Sequence, residues 1–136
     1  MRSSRSTRDT AWRRRYLERK HHPESDAEKL RAADDRVTEL SRNIPSEQAQ
    51  GEFIGVMKLS PEGARRFLSA FDEIAAAPPE GQWCEGRTFK KAYLIDLLQH
   101  MLEAGSVMHR VDTPGAYMEI DTLEDLSNAQ KWWESR

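Results

Sequence analysis

Apolar residues change their period several times along this chain, and each change marks a new element. Residues 52–59 (Glu-Phe-Ile-Gly-Val-Met-Lys-Leu) form an apolar run of strand length between Gly51 and Ser60-Pro61, the pattern of a buried strand. Ser60 then suits a helix N-cap, with Pro61 at the first helical position and Glu62 in the first turn. Ala64, Phe67, Leu68, Phe71 and Ile74 follow at helical spacing until Pro78-Pro79 ends the helix, and residues 77–87 read as a Gly/Pro-rich loop. Tyr93, Leu94, Leu97, Leu98, Met101 and Leu102 mark one face of a second helix, closed by Gly105.

The remainder is shorter in period. Residues 106–111 predict a short strand, Asp112-Thr113-Pro114-Gly115 a turn, and Tyr117 to Ile120 a returning strand. Asp121 or Thr122 then caps a last helix, with Glu124 or Asp125 placed as the partner of a capping box. The pair Trp132-Trp133 makes the end of that helix apolar enough to pack on a sheet. Alternation of strands and helices predicts an α/β fold with helices on a sheet. Residues 23–44 fit two patterns. Leu30, Ala33, Val37 and Leu40 make a helical stripe, whereas Asp34-Asp35 suits the turn of a hairpin between 27–32 and 36–42.

Composition adjusts this picture modestly. The 136 residues are 38% hydrophobic and 32% charged with a net charge of −2, which suits one domain with a modest core and gives no global field towards nucleic acid or membrane. Charge is uneven: eight of the first twenty residues are Arg or Lys (Arg2, Arg5, Arg8, Arg13, Arg14, Arg15, Arg19, Lys20). Residues 1–8 read as a basic, disordered leader ahead of a domain over 9–136. No apolar stretch reaches transmembrane length, and Cys84 alone excludes an internal disulfide or a cysteine-based zinc cluster. A reducing cytoplasm is the expected location.

Candidate chemistry gathers at few positions. Asp121, between the expected strand and helix, is placed where a divalent metal and a phosphate could meet, or is simply a helix cap. Glu52 flanks the apolar strand, so its carboxylate lies close to the core and needs a partner. His21-His22 are adjacent and point apart on most backbones, while His100 and His109 lack helical spacing, so neither pair reads as a metal site. Arg13-Arg14-Arg15 between Trp12 and Tyr16 has the basic-aromatic look of a base-stacking surface, or serves structure.

Three strings in order carry a resemblance: Trp12-(x3)-Tyr16-(x5)-His22-Pro23-(x3)-Ala27-Glu28-Lys29, then Gly51 to Ser60, then Tyr117 to Leu126. From about Asp9 to its end the chain resembles sugar-nucleotide-type nucleotidyltransferases. Within them it is similar to the cytidylyltransferases for phosphocholine and phosphonates, including domains fused to phosphoenolpyruvate mutase. The resemblance implies cytidylyl transfer from CTP to a phosphate- or phosphonate-bearing acceptor, with Mg²⁺ and release of pyrophosphate. It implies Asp121 as a metal ligand and Lys29 as the catalytic, acceptor-binding lysine that meets the acceptor's phosphate. Glu52 becomes the carboxylate for the acceptor's polar or cationic group, and residues 27–42 become a hairpin.

The family's Gly-x-Gly-(Thr/Ser)-Arg loop, which holds the triphosphate, has no counterpart, because the seven glycines are scattered. The expectation is therefore an incomplete GT-A/Rossmann-like sheet with flanking helices, the C-terminal, acceptor-binding half of such an enzyme. Activity would need a further segment or partner chain, and a non-catalytic binding module is the alternative. A severed sheet would expose an apolar edge, which predicts a homodimer or a partner chain that completes it.

Overall fold

The structure is a computed structural model that describes residues 4–9, 12–17, 19–113 and 115–136, the first segment as backbone only. Strand β1 (Ser4–Asp9) and helix α1 (Trp12–Leu17) precede a hairpin of β2 (Lys29–Ala33) and β3 (Arg36–Ser41). Strand β4 (Gly51–Lys58) leads into α2 (Pro61–Ala76), then come α3 (Leu94–Glu103), β5 (Met108–Thr113) and α4 (Leu123–Glu134). The α/β class expected from the sequence is thus found, with helices flanking a mainly antiparallel sheet.

Strand order is β1-β4-β2-β3-β5, and β1 pairs with β5 in parallel to close the ring. The last junction is the thinnest. Arg36 pairs with His109, the Arg110 N–H donates to the Asp35 carbonyl at 2.8 Å, and His109 Nδ1 lies 2.8 Å from the Asp35 carboxylate.

The hairpin reading of residues 27–42 holds over the helical stripe. Asp34 takes the left-handed conformation (φ 53°) that the tight turn demands and that Asp tolerates better than most residues. A β-branched residue is strained there, so Asp34→Val is expected to lower stability by about 1–3 kcal/mol in urea titration, while Asp34→Gly is expected to leave it equal or higher.

Leu30, Val37 and Leu40 of the hairpin, Phe53 of β4 and Met108 of β5 meet Ile95, Leu98 and Met101 of α3 in the main core. Helix α2 is capped as expected, Ser60 Oγ accepting from the Gly63 N–H at 3.0 Å. Its apolar face is only partly covered. Phe67, Ala70 and Ile74 touch the core, whereas Leu68 and Phe71 stay exposed. A second cluster of Trp12, Tyr16, Ala27, Ile44 and Ala49 fixes α1 beside the strands. Arg13 serves this packing, stacking on Trp12 at 4.6 Å and donating to the Ala49 carbonyl at 3.0 Å.

Four expectations need correction. Residues 4–9 of the basic leader form a strand paired on both sides, because main-chain groups of β4 and β5 accept any sequence that can extend; residues 1–3 lie outside the described residues. Tyr117–Ile120 is not a strand: positive φ at Gly115 (110°) and Ala116 (60°) turns the chain off the ladder that ends at Thr113. Pro114 of the expected turn lies outside the described residues. The strand order closes on itself, so the wide free edge anticipated is narrowed to the junction where β3 and β5 share the single pair Arg36–His109. Trp133 is 71% exposed instead of packed on the sheet. Among the described residues no helix is long and apolar enough to cross a membrane.

Candidate functional site: a carboxylate-lined cavity

A cavity of about 260 Å³ opens beside β4, with Glu52 and the stretch Phe53–Gly55 on one wall. Tyr16 and His22 come from α1 and the segment after it, Asp26 and Glu28 from the turn before β2, and Arg42 from the end of β3. Tyr93 precedes α3, and Glu119 and Asp121 stand on the segment leading to α4. Five carboxylates thus face one guanidinium and one imidazole, which makes the lining acidic.

Glu52 is buried, and it is partnered as the sequence required. Its carboxylate accepts hydrogen bonds from the Tyr16 hydroxyl and the Arg15 guanidinium. Burial raises its pKa above the usual carboxylate range, and the bonds from Tyr16 and Arg15 offset only part of that rise. Tyr16 is pushed well up from the ordinary phenol value, first by burial and then by the Glu52 charge, so it stays a donor. Arg15 also lies over the Tyr117 ring at 5.1 Å, and the Tyr117 hydroxyl donates to Glu119 at 3.0 Å. The irregular segment 116–121 is therefore held to the cavity by side chains, not by a ladder.

Arg19 ties this segment to α4. Its side chain is 5% exposed and lies 2.8 Å from Asp125, 3.0 Å from Asp121 and 3.8 Å from Glu119. Its guanidinium also stacks 5.4 Å from the Tyr16 ring. Asp125 completes the capping box that the sequence offered: its Oδ2 accepts from the Thr122 N–H at 3.0 Å, and its own N–H donates to Thr122 Oγ1 at 3.1 Å. Burial opposes ionisation of Asp125, but the Arg19 and Thr122 bonds outweigh it and hold the carboxyl below its usual range. Arg19→Lys keeps the charge but loses the fork that reaches several carboxylates. It is expected to lower the urea midpoint nearly as much as Arg19→Met does, within about 1 kcal/mol.

Asp121 is half exposed. One oxygen accepts from Arg19, and His22 Nδ1 lies 3.4 Å away. His22, Asp121 and Asp125 place ligand-type atoms within 4.8 Å of one another, the one such grouping among the described residues. The donor chemistry fits Mg²⁺ through Asp121 only. Both oxygens of Asp125 are engaged by Arg19 or the cap, and imidazole is a poor partner for a hard cation. The second oxygen of Asp121 carries no bond from a described residue, and one carboxylate suffices where phosphate and water supply the other positions.

Of the three residues named from the resemblance, Glu52 and Asp121 meet in this cavity. Lys29 does not line it. Its side chain is buried on β2, the ammonium donates to the Arg42 carbonyl, and burial lowers its pKa. Glu28, Arg42, Tyr93 and Arg19 complete the site without a signal of their own in the sequence. Arg19 was one cation in a basic run, and Glu28 stood only as the neighbour of Lys29.

No family model matches this chain, and no solved structure does. The chain is similar to a cytidylyltransferase, the CTP:phosphoglutamine cytidylyltransferase of Campylobacter jejuni, with 24% identity over 119 residues. The likeness covers 87% of this chain and 46% of that protein, so the chain spans about half of its relative's length.

Proposed function

We propose that this chain carries the acceptor-binding part of a nucleotidyl-transfer site. The reaction passes a nucleotidyl group, cytidylyl by the likeness, to a phosphate- or phosphonate-bearing acceptor and releases pyrophosphate. The observation that carries this reading is that Glu52 and Asp121, distant in sequence and each singled out by the resemblance, line one cavity. At about 260 Å³ the cavity suits a small acceptor head group, being below the roughly 300–1,000 Å³ of sites for larger ligands.

Each residue has a task consistent with its surroundings. Glu52, kept in place by Arg15 and Tyr16, presents negative charge to the polar or cationic end of the acceptor. Arg42, held by the Asp26 carbonyl and carboxylate at 2.9 and 3.1 Å, is the guanidinium on the wall and sets positive charge beside the acceptor's phosphate. Lys29 supports it by holding the Arg42 carbonyl. Asp121, with one oxygen fixed by Arg19, would hold Mg²⁺ with the other. When bound, the metal neutralises charge on the phosphates during transfer.

A second reading, a binding module that takes acceptor but no nucleotide, is favoured by the size of the cavity. Calorimetric titration with CTP and Mg²⁺, then with 2-aminoethylphosphonate and phosphocholine, separates the two. CTP binding that is lost in Asp121→Ala supports the transferase reading. Acceptor binding without CTP binding supports the module. Binding of neither contradicts both.

A further inference from the structure

Helix α2 carries an apolar stripe, yet none of its 16 residues is buried. One side of that stripe, Phe67, Ala70 and Ile74, rests against the core. The other side stays uncovered among the described residues: Leu68 is 59% and Phe71 46% exposed. Ala64, Leu68, Phe71 and Ala75 follow one another at steps of four, three and four, the spacing of a seam between two packed helices. The uncovered surface also continues beyond α2. The Phe71 ring lies 6.1 Å from Phe89, and Phe89 lies 5.5 Å from Trp83, so the patch runs onto the loop between α2 and α3.

The area of the molecule points the same way. The chain exposes 8697 Å², against about 7,300 Å² for a folded monomer of its mass. The difference of about 1,400 Å² exceeds the roughly 800 Å² that each partner contributes to a standard interface.

Charge along α2 selects the occupant. Arg65 flanks the seam near the start of the helix and Asp72 flanks it near the end, and both are exposed. Arg65 pairs with Glu62 at 3.0 Å in an exposed position, where such a pair contributes little. Asp72 meets no cation among the described residues. The seam is thus small, large, large and small in order, with a basic flank followed by an acidic one. Turned end for end, this surface is complementary to itself. Leu68 then meets Phe71 of a second copy, Ala64 meets Ala75, and Arg65 comes beside Asp72, each contact occurring twice. A parallel pairing would instead set Arg65 beside Arg65 and align the two helix dipoles unfavourably.

We propose that α2 is the interface of a two-fold dimer, packed antiparallel on α2 of a second copy of this chain. The contact covers the face that the core leaves open, and it lies on helices, away from the sheet edge that the sequence suggested for a partner. It is independent of the acceptor reading, since none of its residues lines the cavity.

Sedimentation equilibrium of the whole chain over a range of concentrations tests it. The mass expected is twice that of one chain, falling towards one chain on dilution. Leu68→Glu changes a position that is already exposed, so its circular dichroism is expected to match the unmodified chain. Its dimer dissociation constant is expected to rise by about a hundredfold or more. Arg65→Asp and Asp72→Arg each set like charges together twice and are each expected to weaken the dimer about tenfold. The two changes combined restore the attraction with the signs exchanged, and the dimer is expected to return to within about threefold of its original strength. A single-chain mass for the unmodified protein at high micromolar concentration would overturn the proposal. A dimer that tolerates Leu68→Glu would also overturn it, because its contact then lies elsewhere. A double variant no tighter than the single ones would overturn the antiparallel register.

Discussion

Asp125→Ala is expected to destabilise the chain by about 3–5 kcal/mol, read as a lowered urea midpoint with an unchanged slope. Asp125 is 2% exposed and partners the buried guanidinium of Arg19, so its removal strands a positive charge in the interior. It also removes the box that starts α4, a further loss of about 1 kcal/mol within that range. Glu124→Ala is the control. Its carboxylate accepts from the Lys20 and His21 N–H groups at 3.1 and 3.3 Å, but in an exposed position, so about 1 kcal/mol or less is expected.

The same pair sets a pH dependence whose sign follows from Asp125. Its folded-state pKa lies below the ordinary value of 3.8, so the unfolded chain binds the proton first as pH falls. The stabilisation is fully present above that ordinary value and is lost as pH drops through the folded one. Acid unfolding below about pH 4 should therefore be much less steep in Asp125→Ala. Glu28 acts in the opposite sense. Its raised carboxyl costs stability as pH rises from 4.5 to about 7, so Glu28→Gln is expected to be the more stable chain at pH 8.

The second large effect concerns binding. Glu52→Gln keeps an oxygen for the Tyr16 hydroxyl but deletes the charge that faces the cavity and balances Arg15. Affinity for phosphocholine is expected to drop by about 2–5 kcal/mol, thirtyfold or more, because a buried charge on one side of a contact is lost. Arg15 is then left with a neutral partner, and stability should also fall. Circular dichroism of the variant must therefore confirm the fold before its calorimetry is compared. A loss below threefold in a folded variant would remove Glu52 from the binding site.

Legibility followed the range of the interaction. The caps at Ser60 and Thr122 depend on neighbours within four residues, and local pattern carries them. The face of α3 was read from Tyr93 and Leu94, which stay exposed, and missed the fully buried Ile95, while the turn at Asp34 competed with a helical stripe until the strands on either side paired. Placement of β1 depends on main-chain groups of β4 and β5, some 50 and 100 residues away, which its own polar composition does not report. Tyr117–Ile120 looked like a strand because alternation records exposure, not pairing, and the left-handed bend at Ala116 takes it off the sheet.

The site divides in the same way. Glu52 and Asp121 were singled out by the resemblance, one beside an apolar run and one before a helix start, and the structure adds that both line one cavity. Arg19 was not, since its partners stand 102 and 106 residues on. Lys29 was read as a ligand for phosphate because its motif drew attention, yet its ammonium is spent on a backbone carbonyl and the cavity meets its neighbour Glu28 instead. In a strand, successive side chains point to opposite faces, and a motif of three residues cannot say which one faces the site.

The central claim is that this cavity takes the head group of a small phosphorylated acceptor. Its most direct test is a backbone NMR titration of the isotope-labelled chain with phosphocholine and with 2-aminoethylphosphonate. Saturable shifts concentrated on the amides of Glu28, Glu52 to Gly55, Tyr93 and Asp121, and absent in Glu52→Gln, are the result predicted. No shifts at millimolar ligand, or shifts scattered over the surface away from those residues, would contradict it.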